Sequence, residues 1–333
     1  MAIFAFDQSF FLGLTAQVKL LGMLHAVSFL GLLIILRPSL GELSLAFGVW
    51  AALMTLALVV LWALAPVSWY ATGYDFGDAP LLSVDHRGAR IRMPMIFILI
   101  GVFYASRQLF ERVSMRDFAM AAGGVALAGF VVKTRAVIAA SVATIALMLI
   151  SAAPRVVRIL AFALGATFVI VFVLTPMASA VFDAGMPSGA QVRLTTVRKA
   201  MDFLGNDPVR WLLGVGTISP LDPGALPRFF NHFFFLSDIS WLGIVFEYGL
   251  VGAMILLALI ARTWRLGREE QRAMRSPFLL ALQDYIVFVA LISPLYSVMT
   301  LQPGEVAMIA AIFIYGTLIV RENSAPAPSP AVT

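Results

Sequence analysis

Cysteine is absent from this chain, histidine occurs three times, and charged residues make up only 12% of its 333 positions. Without cysteine there is no disulfide scaffold, no thiolate-held zinc or iron–sulfur centre and no cysteine nucleophile. Three histidines leave little for a metal site built on imidazole. Soluble domains carry about 25% charged residues, so the scarcity of charge excludes a soluble enzyme, a disordered chain and a fibrous repeat. No GxxxxGK[ST] loop occurs, which argues against nucleotide hydrolysis. No HExxH is present to suggest a metal hydrolase.

What remains is apolar and basic. Hydrophobic residues make up 61% of the chain and the mean hydropathy is +0.95. The net charge is +5, carried by 20 Arg and 3 Lys against 18 acidic residues. In so apolar a chain a basic balance first signals topology, because cations collect on cytoplasmic loops; nucleic acid is not the expected partner. Arginine also offers a planar fork of donors suited to phosphate and carboxylate.

A helix spanning a bilayer needs about 20 mostly apolar residues. Nine stretches approach this: 20–36, 43–65, 93–110, 118–132, 136–153, 159–182, 239–261, 278–300 and 304–320. The fold expected is all-α, a polytopic membrane protein of about 9–10 transmembrane helices with one large extracytoplasmic loop. Its parts are N-terminal membrane helices (1–182), the loop (183–238), C-terminal membrane helices (239–320) and a disordered cytoplasmic tail (321–333). Residues before Lys19 read as a half-membrane or interfacial piece. Lys133-Thr134-Arg135 splits the fourth and fifth spans. As a tight hairpin it keeps two cations at the surface, whereas one long helix would bury them at a cost of at least about 2.5–3.5 kcal/mol each.

Five arginines at 262–277 (Arg262, Arg265, Arg268, Arg272, Arg275) assign that segment, read as a loop, to the cytoplasm. Alternation then places 37–42, 107–117, 154–158 and the tail inside. It places 67–92, 133–135, 183–238, 301–303 and the amino end outside. About half of the cations therefore face outward, where the topology rule gives no reason for them.

The outer segment opens with a turn at Met186-Pro187-Ser188-Gly189. Gln191–Leu204 then reads as an amphipathic helix with Arg193, Val197, Met201 and Leu204 on one face. Arg193 on that apolar face is expected to be tucked toward a carboxylate or a bound anion. Arg198 and Lys199 fit the opposite, solvated face. The aromatic run Phe229–Phe235, which contains His232, is expected at the membrane interface.

Ionisable residues within spans are expensive and therefore informative. Asp238 opens the seventh span and either caps it or acts on a substrate. Glu247 lies deeper, facing protein or water. Asp284 is expected to bond helix ends or cytoplasmic arginines, Glu305 to cap the ninth span, and His25 to be a satisfied buried histidine. Asp75 and Asp78 suit turn formation in a Gly-rich loop, or a metal-assisted site.

Three motifs, in order, resemble those of the bacterial O-antigen polymerase/O-antigen ligase group of membrane glycosyltransferases. Lys133-Thr134-Arg135-Ala136 is similar to a short outer turn leading into a span. Arg193-Leu194 through Ala200, Pro208 and Gly214-Val215-Gly216 is similar to an outer-loop signature. Asp238-Ile239-Ser240-Trp241-Leu242 with Glu247-Tyr248-Gly249-Leu250-Val251-Gly252 is similar to the entry into the next span. Together they cover roughly residues 130–255. Asp238 stands where ligases of the group have a histidine, the nearest here being His232, and this favours the polymerase branch.

The resemblance implies transfer of glycan from undecaprenyl pyrophosphate to an acceptor at the periplasmic face of the bacterial inner membrane. It implies a metal-independent reaction without a cofactor, in a setting of membrane lipids, a flippase and a chain-length regulator. Arg135 and Arg193 would stabilise the pyrophosphate leaving group, with Lys133 and Arg198 assisting. Asp238, Glu247 or His232 would serve the acceptor hydroxyl, and Trp241 with the aromatic run would meet sugar or lipid. The alternatives are a ligase acting on lipid A core or protein and, in another class, a polysaccharide or lipid transporter.

Overall fold

The computed structural model describes residues 2–72, 81–85, 88–156, 158–160, 189–219, 229–230, 234, 236–294 and 303–324. They are mostly helical. Short helices α1 (Ala2–Phe6), α2 (Phe10–Ala16) and α3 (Val18–Leu21) lead into α4 (His25–Leu36) and α5 (Leu40–Leu64). A hairpin of β1 (Leu82–Asp85) and β2 (Gly88–Ile91) follows, then α6 (Ile96–Glu111), α7 (Met115–Leu127) and α8 (Arg135–Ala152). After the fifth of the expected spans come α9 (Gly189–Leu204), α10 (Pro208–Leu213), α11 (Ser240–Met274), α12 (Pro277–Ile292) and α13 (Pro303–Ser324).

Local chemistry sets several of these boundaries. Ser39 and Glu42 form a reciprocal cap at the start of α5: Ser39 N–H donates to Glu42 Oε2 at 2.7 Å and Glu42 N–H to Ser39 Oγ at 3.2 Å. Pro66 follows its end. Asp207 caps α10 through Val209 N–H at 2.9 Å, and Pro208 and Pro277 occupy first-turn positions that need no N–H donor.

Helix α12 is the axis of the main core. It is buried over most of its surface from Phe278 to Val289 and packs against α6, α8 and α11. A helix apolar all round belongs inside a bundle. Two ties fix it laterally. Arg107 of α6 forms a two-pronged ion pair with Asp284 at 2.8 and 2.7 Å, which matches the expected arginine partner. Tyr285 Oη donates to Glu305 at the start of α13.

Helices α4 and α5 lie at the rim with large apolar side chains outward, including Ile35 (79% exposed), Leu45 (69%) and Leu64 (74%). Water would make such a band costly. Three described helices are long and apolar enough to cross a membrane: Leu40–Leu64, Met115–Val132 and Ser240–Met274. Gly22–Leu36, Ala136–Ala152, Pro277–Ile292 and Gly304–Ile319 are apolar but shorter. The expected span 159–182 lies almost wholly outside the described residues.

The structure corrects four expectations. The fold is not purely α, because residues 82–91 pair as an antiparallel hairpin. Residues 262–274 are not a loop. They continue α11, whose unbroken stretch from Leu250 to Met274 reaches roughly 37 Å at 1.5 Å per residue. Leu256, Thr263 and Glu270 are buried at seven-residue spacing and the arginines lie on the exposed side, so helix–helix packing sustains the helix beyond its apolar stretch. The tail does not begin at Arg321, since α13 continues to Ser324. His25 is exposed rather than buried; it borders an open recess beside Gly304 and Met308 of α13.

Candidate functional site

Two of the three motif segments meet in one backbone joint. Helix α11 breaks its helical path at Gly249 (φ 69°, ψ −178°), a conformation open essentially to glycine. Just upstream of the break, the Phe246 carbonyl accepts from Val215 N–H at 2.7 Å and the Glu247 carbonyl from Gly216 N–H at 3.0 Å. Gly214 (φ 74°) and Gly216 (φ 91°) also adopt left-handed backbone. A Cβ on Gly249 would overlap the Leu212 carbonyl oxygen, and one on Gly214 would overlap the Glu247 carbonyl. The GVG and EYG sequences thus explain each other: each supplies the close approach that the other needs.

The amino-terminal segment completes this layer. Ala2 lies against Gly216 where a side chain would sit, and Thr15 Oγ1 and Ser219 Oγ share a hydrogen bond at 2.8 Å. Phe6 stacks on Phe203, with ring centroids 5.5 Å apart, and Phe230 stacks on Phe234 at 3.9 Å. With Phe246 these rings form a second apolar core. Of the run Phe229–Phe235, Phe230 and Phe234 therefore belong to this core rather than to an interfacial belt. Phe234 is buried against Phe230 and Phe246, and Phe230 in turn meets Phe6 of α1, Phe203 of α9 and Phe246 of α11.

The third motif is a tight turn, as expected. Helix α7 ends in a wide turn at Ala128–Val132, Lys133 takes the left-handed region (φ 54°), and α8 starts at Arg135. The hairpin adds what sequence reading missed. Strand β2 packs against the Ala128–Val132 turn and brings buried Arg90 to Thr134, with Nη2–Oγ1 at 3.4 Å. Lys133 Nζ lies 3.3 Å from where a Gly88 Cβ would sit. The only signal for this was the alternation Gly88-Ala89-Arg90-Ile91-Arg92 beside a four-residue apolar-polar run.

Helix direction puts the three motifs at one end of the bundle. Glu111 at the end of α6, Gln271, Arg272 and Arg275 at the end of α11, and Pro277 at the start of α12 converge around one cleft. The start of α6 with its hairpin, the start of α11 and the end of α12 are therefore together at the opposite end. There Trp241 Nε1 donates to Ser293 Oγ at 3.1 Å. That indole N–H, expected to meet substrate, ties α11 to α12.

The remaining site residues divide as follows. Arg193 is exposed rather than tucked into the apolar face. The buried stripe of α9 is Thr196, Ala200 and Leu204, and Met201 is 44% exposed, so the helix is rotated from the expected register. Arg193 lies one turn ahead of the stripe, beyond its packing partners among the described residues. Arg198 is exposed as expected, and neither arginine forms a side-chain hydrogen bond or ion pair among the described residues. Asp238 is half-buried in the Leu236–Ile239 turn, and Glu247 is 5% exposed. The Arg135 side chain, His232, Asp75 and Asp78 lie outside the described residues. Arg210 bonds the Phe203 carbonyl at 2.6 Å and lies over that ring, a structural duty.

Compared with protein-family models and with curated proteins, the chain matches none.

Proposed function

We propose that this chain is a multi-pass glycosyltransferase of the bacterial inner membrane. On this reading it polymerises polysaccharide repeat units carried on undecaprenyl pyrophosphate, with its active site toward the periplasm. The observation that carries the reading is the joint of Gly214–Gly216 on the Gly249 break. Two motifs of the resemblance, some thirty residues apart, depend on each other through backbone contacts. The outward cations are the second support. A lipid pyrophosphate gains negative charge as the anomeric C–O bond breaks, and preorganised guanidinium groups stabilise it without a metal. Arg193 and Arg198 have donors to spare, and Lys133 and Arg90 lie at the turn of the same end. Asp238, being half-buried, suits deprotonation of the acceptor hydroxyl better than the enclosed Glu247.

A ligase differs only in its acceptor, and Asp238 in place of histidine favours polymerisation. A transporter would use a broken helix to free carbonyls for an ion or substrate. Here the Phe246 and Glu247 carbonyls at the break are already taken by Val215 and Gly216.

In the cell, Arg193→Ala and Arg135→Ala should each abolish long-chain glycan while the protein stays inserted. Normal polymer length in both variants would overturn the site assignment.

A further inference from the structure

The cleft at the arginine-rich end of the bundle holds more than a topology signal. It measures about 490 Å³ and is lined by Glu111, Gln271, Arg272, Arg275, Pro277 and Leu280. That is the size of a small-molecule site. Arg272 and Arg275 are exposed, and neither side chain forms an ion pair or hydrogen bond among the described residues. Glu111 lines the same cleft yet pairs with neither. The Gln271 Oε1 is shielded from solvent without a hydrogen-bond partner. Two guanidinium groups, each able to grip a phosphate in a fork, thus stand beside two acceptors that suit hydroxyl groups. Pro277 and Leu280 offer an apolar wall toward the bundle.

We propose that this cleft binds the headgroup of an anionic, hydroxyl-bearing phospholipid of the phosphatidylglycerol type. Arg272 and Arg275 hold the phosphodiester, and Gln271 and Glu111 accept from the headgroup hydroxyls. Basic recesses between helices on the cytoplasmic side are suited to anionic headgroups. The proposal rests on the membrane-embedded reading of the chain and not on glycosyl transfer.

The test is lipid retention by the purified full chain in detergent, read by native mass spectrometry. Phosphatidylglycerol and phosphatidylcholine are offered together, with and without inorganic phosphate. The chain should retain phosphatidylglycerol in preference, and R272A/R275A should lose roughly tenfold or more of it. R262A/R265A, on the same helix but away from the cleft, should behave as the unaltered chain. Gln271→Leu should weaken the preference for phosphatidylglycerol over phosphatidic acid, which lacks the glycerol hydroxyls. Equal retention by R272A/R275A, equal loss in R262A/R265A, or retention of phosphatidylcholine as strongly would overturn the site. Displacement by millimolar inorganic phosphate would make it a free-phosphate site and overturn the lipid assignment. A chain monodisperse without detergent would refute the membrane reading itself, whereas a detergent-dependent chain with no lipid preference refutes the cleft alone.

Discussion

Gly249 is where backbone conformation, close packing and the motif pattern coincide. Gly249→Ala forces a side chain into the Leu212 carbonyl and into a region of backbone space that costs about 1–3 kcal/mol by itself. The variant should melt well below the unaltered chain in detergent, and proteolysis should open residues 205–219 first. Gly31→Ala and Gly48→Ala meet nothing within 4 Å and should be neutral or slightly stabilising, since alanine favours a helix interior. A Gly249→Ala melting curve matching theirs would refute the joint. Arg107 and Asp284 supply a second residue-level test. Removing either partner leaves a shielded charge without its counter-ion and should cost about 3 kcal/mol. The double variant should cost less than the sum. Additive losses would show that the pair is not coupled. The sequence already indicated Asp284's partner class, because a carboxylate at the inner end of a span has few options other than cytoplasmic arginines. It did not reveal the Gly214–Gly249 contact. Glycine patterns mark a permissive backbone, but which segment comes close is set by tertiary packing.

Among the elements, α9 separates stability from activity. Its packing face is Thr196, Ala200 and Leu204; Arg193 prolongs that stripe by one exposed turn, and Arg198 is exposed on another face. Arg193→Ala should therefore leave the melting temperature within the small range of surface substitutions, about ±0.5 kcal/mol, yet remove polymerisation. Ala200→Leu should do the reverse of the first part and destabilise by overpacking, about 1–3 kcal/mol. A large drop in stability for Arg193→Ala would mean that the arginine is structural. The existence and extent of this helix were legible from residues 191–204. Its rotation was not, because Val197 and Met201 fit the apolar pattern as well as Thr196 and Ala200 do. The hairpin at 82–91 was missed for a related reason. Its strands are four residues long and carry Ser83 and Arg90 inward, so alternation of apolar and polar residues hides what is buried. The helical continuation of α11 through four arginines, up to its cap at Arg275, was hidden because charge was read as an end of helix. Packing on α13, where Glu270 meets Gly316 and Gly267 meets Phe313, sustains it instead.

At the scale of the whole molecule, the account assigns opposite faces to two sets of arginines. The absence of native cysteine makes this easy to test, since each single substitution carries the only thiol. Asn206→Cys should react with an impermeant maleimide in intact spheroplasts, and Arg268→Cys only after the membrane is opened. Labelling of both from the same side would reverse or break the topology. The apolar segments, the hairpin turn at Lys133 and the order of the motifs were all readable from composition and charge. The division of the molecule into a bundle core around α12 and a separate aromatic layer around Phe246 was not, because it depends on which helices meet.

The central claim is that this chain transfers glycan from a lipid pyrophosphate with its own arginines. The most direct measurement offers the purified chain a repeat unit linked to undecaprenyl pyrophosphate, in detergent with EDTA, and follows product length on a gel. The account predicts a ladder of extended glycan, lost in Arg193→Ala while the variant remains folded. No extension by folded protein, or extension only with a divalent metal, would contradict it.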